Sequence, residues 1–293
     1  MRLLTHQERG EERLAVGVGA DAAVGAAVDV EDLLGDGPWT MARLLGALPA
    51  SLDRVRAALD ADVGAAARPI ASLRLLAPVP RPSKIVAVGR NYREHAAEEA
   101  AALPDAPLLF AKLPSAVVGD AAPVVWSADL TGQVDYEAEL AVVIGRRARC
   151  VPVAEAIDHV LGYTCLNDVS ARDLQVRDGQ WTRAKGLDTF CPMGPWVVTT
   201  DEIPDPGVLR VRCRVNGEVR QDASTAALVH GVAALIAYCS RSFTLEPGDV
   251  LATGTPGGVG AFRDPPVFLA DGDVVEVEIQ GIGILRNPCR IVP

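Results

Sequence analysis

Lysine is nearly missing from this chain: Lys84, Lys112 and Lys185 are the only three, and arginine supplies the rest of the permanent positive charge. Positive charge is itself in deficit. The net charge of −10 excludes nucleic acid and anionic membrane as expected partners, and it means that an anionic substrate must be met by a bound cation or by local Arg and Lys. No run of about 18 uncharged apolar residues occurs, which excludes a transmembrane helix. The opening stretch MRLLTHQERGEERL lacks the apolar core of a secretory signal, so the cytoplasm follows by default. Cysteines 150, 165, 191, 213, 239 and 289 are scattered singly. None forms C-x-x-C or a Cys/His spacing that suits zinc, so they read as reduced core fillers. What remains is a chain of 293 residues, 49% of them apolar, long enough for one large core or two unequal domains.

The pattern along the chain divides it. Residues 1–76 are rich in Ala, Gly and Asp, with short apolar runs and a helix expected over 51–61. The Pro-rich joint APVPRPSK at 77–84 is stiff and extended and marks the boundary with residues 77–293. There KIVAVG reads as a short buried strand, residues 90–103 as a helix, and 151–163 as a helix. Arg and apolar residues alternate across Asn216-Gly217, a strong hairpin signal. Residues 224–242 read as one apolar helix capped by Ser224 or Thr225, which would bury His230. Residues 271–288 supply two last strands.

Four groups of residues carry chemistry. In VDYEAELAVVI, the acids Asp135, Glu137 and Glu139 recur at every second position and then give way to apolar residues at every position. That places three carboxylates along one face of a strand as it enters the interior, each a little under ~7 Å from the next. Protons, Arg/Lys partners or a hard cation such as Mg²⁺ would compensate them, unless the stretch is a solvated acidic edge. In LNDVSARDLQ, Asp168 either joins that cluster or caps a helix, as Ser170 also can. In RNYREHAAEEA, His95 and Glu98 stand three apart on a helix, the arrangement of a general base with a carboxylate behind it; a solvated helix face reads the same way. Lys185, followed by Asp188 and Thr189, can steady a developing negative charge. A lysine retained against so strong an arginine bias is a candidate for a point-charge role. Lys84 and Lys112 share that argument without further support. The Gly-rich TGTPGGVG at 253–260 has no P-loop Lys-Ser/Thr, but its amides are able to hold a substrate carboxylate.

Five stretches, KIVAVGRNYREHAAE, DYEAELAVVIG, GYTCLNDVSARDLQ, QWTRAKGLDTFCPMGPW and ATGTPGGVG, come in this order over residues 75–293. Together they resemble the fumarylacetoacetate hydrolase family, in its bacterial acylpyruvase and 2-hydroxyhepta-2,4-diene-1,7-dioate isomerase-like branch. The resemblance implies a mainly β fold with α elements (α+β), a mixed β-sandwich roll, preceded by a small N-terminal α+β region and assembled as a homodimer. It implies a divalent cation, Mg²⁺ with Mn²⁺ or Ca²⁺ as substitutes, held by Glu137, Glu139 and Asp168, with Asp135 a neighbour. It implies His95 and Glu98 as the catalytic pair on a lid, Lys185 as the active-site lysine, and Arg90, Tyr92, Arg172, Gln175, Thr189 and Thr255 around the substrate.

The activity so implied is metal-dependent hydrolysis of a C–C bond in a 2,4-dioxo acid such as an acylpyruvate, through an enolate held at the cation. A decarboxylase of oxaloacetate, an isomerase of 2-hydroxydienoates in aromatic catabolism and a 2-oxo-3-deoxy sugar-acid enzyme share that enolate. A catalytically silent oligomeric binding protein is the reading from another class. The segment between Gln175 and Trp181 is shorter than in some acylpyruvase-type members, so substrate identity does not carry over from them.

Overall fold

The computed structural model describes residues 1–19, 25–61, 67–98 and 102–293. Two sheets form the body. Among the described residues the larger has 12 strands, and it runs from Cys191–Thr199 through Val160–Asn167, Ala138–Ile144 and Val250–Ala252 to Ile85–Gly89 and Leu108–Lys112 at the edge. The smaller has five: Glu218–Ser224, Arg210–Val215, Val274–Ile279, Gly283–Val292 and Val124–Ser127. Parallel pairs, Val250–Ala252 with Ile85–Gly89 and Gly283–Val292 with Val124–Ser127, sit among antiparallel ones. The result is the expected mixed β-sandwich.

The uninterrupted apolar run after Glu139 follows from this layering. Alternate residues of a strand face opposite sides. Leu140, Val142 and Ile144 enter a core shared with Val211, Val275 and Leu285 of the smaller sheet. Ala141 and Val143 enter a second core with Met41, Leu44 and Val55 from the N-terminal helices. A strand covered on both faces needs apolar residues at every position.

The first residues do not stand apart from this sheet. Strand Arg2–Glu8 pairs antiparallel with Cys191–Thr199, so the N-terminal strands extend the sheet. The helix Ala50–Ala61 forms as expected. The 77–84 segment is irregular, and the Thr5 hydroxyl donates to the Pro78 carbonyl at 2.8 Å. Asn216-Gly217 makes the turn between Arg210–Val215 and Glu218–Ser224, both residues at positive φ (53° and 81°). Five of the six cysteines are buried thiols and Cys150 is exposed.

Three expectations change. Residues 151–163 are not one helix: a 3-10 turn covers Val153–His159, and the chain then extends as strand Val160–Asn167, which gains partners on both sides. Residues 224–242 split in two. Ser224 caps a 3-10 turn, Thr225–Ala227, and the α-helix begins only at Val232 after Gly231. The intervening residues clip onto Asn91: its carbonyl accepts from Val229 N, and its side chain bonds both the N–H and the C=O of His230. His230 is therefore half-buried and outside the helix. The helix expected over 90–103 is described as Arg93–Glu98, and residues 99–101 lie outside the described residues. Among the described residues no helix is long and apolar enough to cross a membrane.

Candidate metal centre and active site

The alternating acids do not share one continuous strand. Val134–Asp135 pairs with Ser170–Ala171 in a separate ribbon, and the sheet strand begins at Ala138. Between them the chain is held by Asn167, whose side-chain oxygen accepts from Glu137 N at 3.0 Å, and by Asp168 N, which donates to the Glu137 carbonyl at 2.9 Å. The antiparallel register sets Ala138 opposite Asn167. Asp168 thus lies beside Glu137 because the two strands are neighbours, joined by the Glu137–Asn167 bond across 30 residues of sequence.

Glu137, Glu139 and Asp168 are 4%, 1% and 0% exposed, and one oxygen from each lies within 4.8 Å of the others. Asp135 turns elsewhere: its oxygens accept from Gly260 N, Ala261 N and the Arg172 guanidinium. Three buried cations meet the acids. Lys185 Nζ bridges Glu137 Oε2 at 2.8 Å and Asp168 Oδ2 at 2.7 Å. Arg172 bridges Asp135 at 2.9 Å and Glu137 Oε1 at 2.7 Å. Lys112 Nζ donates to Asp168 Oδ1 at 2.5 Å. The helix Arg172–Asp178 has Ala171 at its N-cap and no side-chain cap, so neither Asp168 nor Ser170 serves there.

Among the described residues these four carboxylates meet three cations, and Glu139 is the one with no cation bonded to it. Burial raises its carboxyl well above the ordinary value, the charges of Asp168 and Glu137 raise it further, and Lys185 and the Gly254 amide oppose this only in part. Burial would also raise Glu137, but Lys185, then Arg172 and His95, outweigh it and hold that carboxyl below its usual range. The Lys185 ammonium loses by burial and gains more from Asp168 and Glu137, so it stays charged. An all-oxygen donor set suits a hard divalent cation, and Glu137, Glu139 and Asp168 fit one.

Beside the acids is a narrow cleft lined by Arg90, His95, Glu137, Arg172, Gln175, Lys185 and Thr255, with Phe110 and Trp181 as its aromatic wall. Lys185 Nζ lies 5.0 Å from the Phe110 ring centre, and Phe110 and Trp181 meet edge to face. His95, 4% exposed, has Nδ1 3.6 Å from Glu98 Oε2. Two wider grooves flank the N-terminal strands and helices, and neither reaches His95 or an acid of the cluster.

Two residues expected at the substrate do not line this cleft. The Thr189 hydroxyl is engaged by the backbone N–H and C=O of Val125. Tyr92 is 1% exposed and bridges Leu228 through its backbone; burial and the Glu139 charge raise its phenol. Three amides of the Gly-rich loop are taken by protein carboxylates: Gly254 N donates to Glu139, Gly258 N to Glu98, and Gly260 N to Asp135. Gln221, unmarked in the sequence, ties the floor together, accepting from Ala138 N and donating to Thr255. Lys112 joins the centre; its rarity in an arginine-rich chain was the one signal for it. Lys84 is a third exposed, on Asp249.

Residues 84–290 match the family model described as fumarylacetoacetate (FAA) hydrolase C-terminal. A mitochondrial oxaloacetate tautomerase of Xenopus laevis is 44% identical over 253 residues, 86% of this chain and 78% of that protein. Among solved structures, a fumarylacetoacetate hydrolase from Exiguobacterium antarcticum superposes with TM-score 0.86 at 40% identity over the whole of both chains. A 2-hydroxyhepta-2,4-diene-1,7-dioate isomerase from Mycobacterium marinum gives 0.78 at 38% over 99% of this chain and 98% of that one. A maleylpyruvate hydrolase from Sphingobium sp. SYK-6, in complex with manganese(II) and pyruvate, gives 0.81 at 35% over the whole of both. A buried all-carboxylate centre, a His-Glu pair beside it and these likenesses together show that the chain belongs to the fumarylacetoacetate hydrolase family.

Proposed function

We propose that this chain is a divalent-metal-dependent enzyme that interconverts the keto and enol forms of a short 2-oxo dicarboxylate such as oxaloacetate. The observation that carries the reading is the buried group of Glu137, Glu139 and Asp168, one oxygen of each within 4.8 Å of the others, beside the His95-Glu98 pair. The likeness to an oxaloacetate tautomerase over most of the chain supports the substrate class.

A cation held by Glu137, Glu139 and Asp168 would supply Lewis acidity toward the 2-oxo group, which makes the neighbouring C–H more acidic. The chain does the rest. Arg90 lines the cleft and attracts carboxylate groups, and Arg172, held by Asp135 and Glu137, fixes the wall beside it. His95 takes the proton from C3 and returns it to the enol oxygen or to carbon, with Glu98 orienting the ring. The Lys185 ammonium, kept charged by its acid partners, balances the charge that develops on the substrate. The aromatic wall of Phe110 and Trp181 limits water.

Hydrolysis of a C–C bond in a 2,4-dioxo acid, the expectation from the sequence, stands as the second reading, favoured by the full-length likeness to a maleylpyruvate hydrolase. There His95 would activate water instead. The test is a panel with Mg²⁺: enol oxaloacetate, acetylpyruvate, fumarylpyruvate and a 2-hydroxymuconate-type dienoate, followed by ultraviolet absorbance and product mass. Rapid loss of enol oxaloacetate absorbance with no change in mass is expected. Pyruvate release from the acylpyruvates with no effect on oxaloacetate would replace the first reading by the second.

A further inference from the structure

Lys112 is the last residue of strand Leu108–Lys112 and is 1% exposed. Its ammonium has three N–H groups and three acceptors: Asp168 Oδ1 at 2.5 Å, the Val169 carbonyl at 3.3 Å and the Lys185 carbonyl. One lysine thus grips an acid of the cluster, the main chain just after it, and the main chain of the second buried lysine. Lys185 Nζ takes the other oxygen of the same carboxylate, Oδ2, and also Glu137 Oε2. Each oxygen of Asp168 is thus held by a different lysine: Oδ2 by Lys185, which also holds Glu137, and Oδ1 by Lys112.

This division bears on which cation the cluster accepts. Ca²⁺ draws on six to eight oxygens and readily takes both oxygens of a carboxylate, whereas Mg²⁺ demands near-octahedral geometry and few protein ligands. We propose that Lys112 is a positioning residue that sets metal preference: with Oδ1 fixed by Lys112 and Oδ2 shared with Lys185, Asp168 is kept from chelating a cation with both oxygens, which favours Mg²⁺ and Mn²⁺ over Ca²⁺. An arginine would not do this. Its planar fork suits two parallel acceptors, and here three must be met by one compact charge. The retention of lysine in an arginine-rich chain follows. The inference rests on the reading that Glu137, Glu139 and Asp168 hold a divalent cation.

The test is Mn²⁺ binding by electron paramagnetic resonance, with displacement by Mg²⁺ and by Ca²⁺, on the wild-type chain and on Lys112→Met. Partners one bond removed from a metal are worth about 10–100-fold in affinity. Freeing Oδ1 in Lys112→Met should improve Ca²⁺ binding relative to Mn²⁺, so the Mn²⁺/Ca²⁺ affinity ratio should fall about 10–100-fold. Lys112→Gln, which keeps a donor for Oδ1, should lie between and answers the question if the methionine variant does not fold. A ratio unchanged in a folded variant overturns the inference and leaves the metal centre standing. So does a wild-type chain that binds Ca²⁺ as tightly as Mn²⁺, whatever the variants do. A wild-type chain that binds neither ion overturns both.

Discussion

The carboxylate of Glu98 accepts the backbone N–H of Gly258 with both oxygens, at 2.8 and 3.1 Å. This contact pins the helix that carries His95 to the Gly-rich loop, and the same loop holds Glu139 through Gly254 N. Gly258 has φ +101°, and a Cβ there would meet the Arg220 carbonyl oxygen at 2.2 Å. Gly258→Ala must therefore shift the loop and loosen Glu98. Misplacing a catalytic group by about 1 Å can slow a reaction about 10²-fold. We expect a rate loss of that order, measured by enol decay, with the rise in melting temperature on adding Mg²⁺ retained.

His95→Ala should lose the general-base contribution, about 10²–10⁴-fold in rate. It should still bind Mn²⁺, since the ring is not in the carboxylate cluster. Glu98→Gln keeps an acceptor for Gly258 N and removes the charge, so its rate should fall between wild type and His95→Ala. Enol decay at wild-type rate in His95→Ala would remove this side chain from the reaction.

The two strand glutamates should behave oppositely when changed. Glu137 bonds Lys185 and Arg172, so Glu137→Ala leaves two buried cations short of a partner and should destabilise the fold by about 3–5 kcal/mol. Glu139 has no cation bonded to it among the described residues, and Glu139→Gln keeps an acceptor for Gly254 N. It should leave the metal-free protein as stable as wild type or more so. Both variants should lose the stabilisation by Mg²⁺. Thermal melts with and without chelator separate the cases.

The raised Glu139 carboxyl sets a pH dependence for the metal-free protein. It binds its proton more tightly in the folded chain than in the unfolded one, where the ordinary value is 4.5. Its contribution to stability is therefore present at and below that value, is lost as pH rises toward the raised folded value, and is constant beyond. A cation displaces that proton, so the gain in melting temperature from Mg²⁺ should grow with pH over the same window. Melts of chelated and Mg²⁺-loaded protein across a pH series check it, and Glu139→Gln should abolish the trend.

How much of this was legible beforehand depends on the range of the contacts. The apolar run after Glu139 announced a strand buried on both faces, and the Asn216-Gly217 hairpin and the His95/Glu98 spacing are local patterns that the chain realises. The break between Asp135 and Ala138 was not visible, because Asn167 and Gln221, far along the chain, hold it. The same is true of the 224–242 segment, where Asn91 competes for the backbone that a helix would use. The Gly-rich loop looked ready for a ligand because nothing in its sequence shows that Glu98, Asp135 and Glu139 reach its amides first. Lys112 stood out only by its residue type, and its burial against Asp168 comes from strand order.

Anomalous diffraction from a crystal grown with Mn²⁺ checks for a divalent cation among the three carboxylates. One strong peak is expected, bounded by Glu137, Glu139 and Asp168 and within reach of one oxygen from each. An ordered site with those side chains in place and no anomalous peak between them would contradict that expectation.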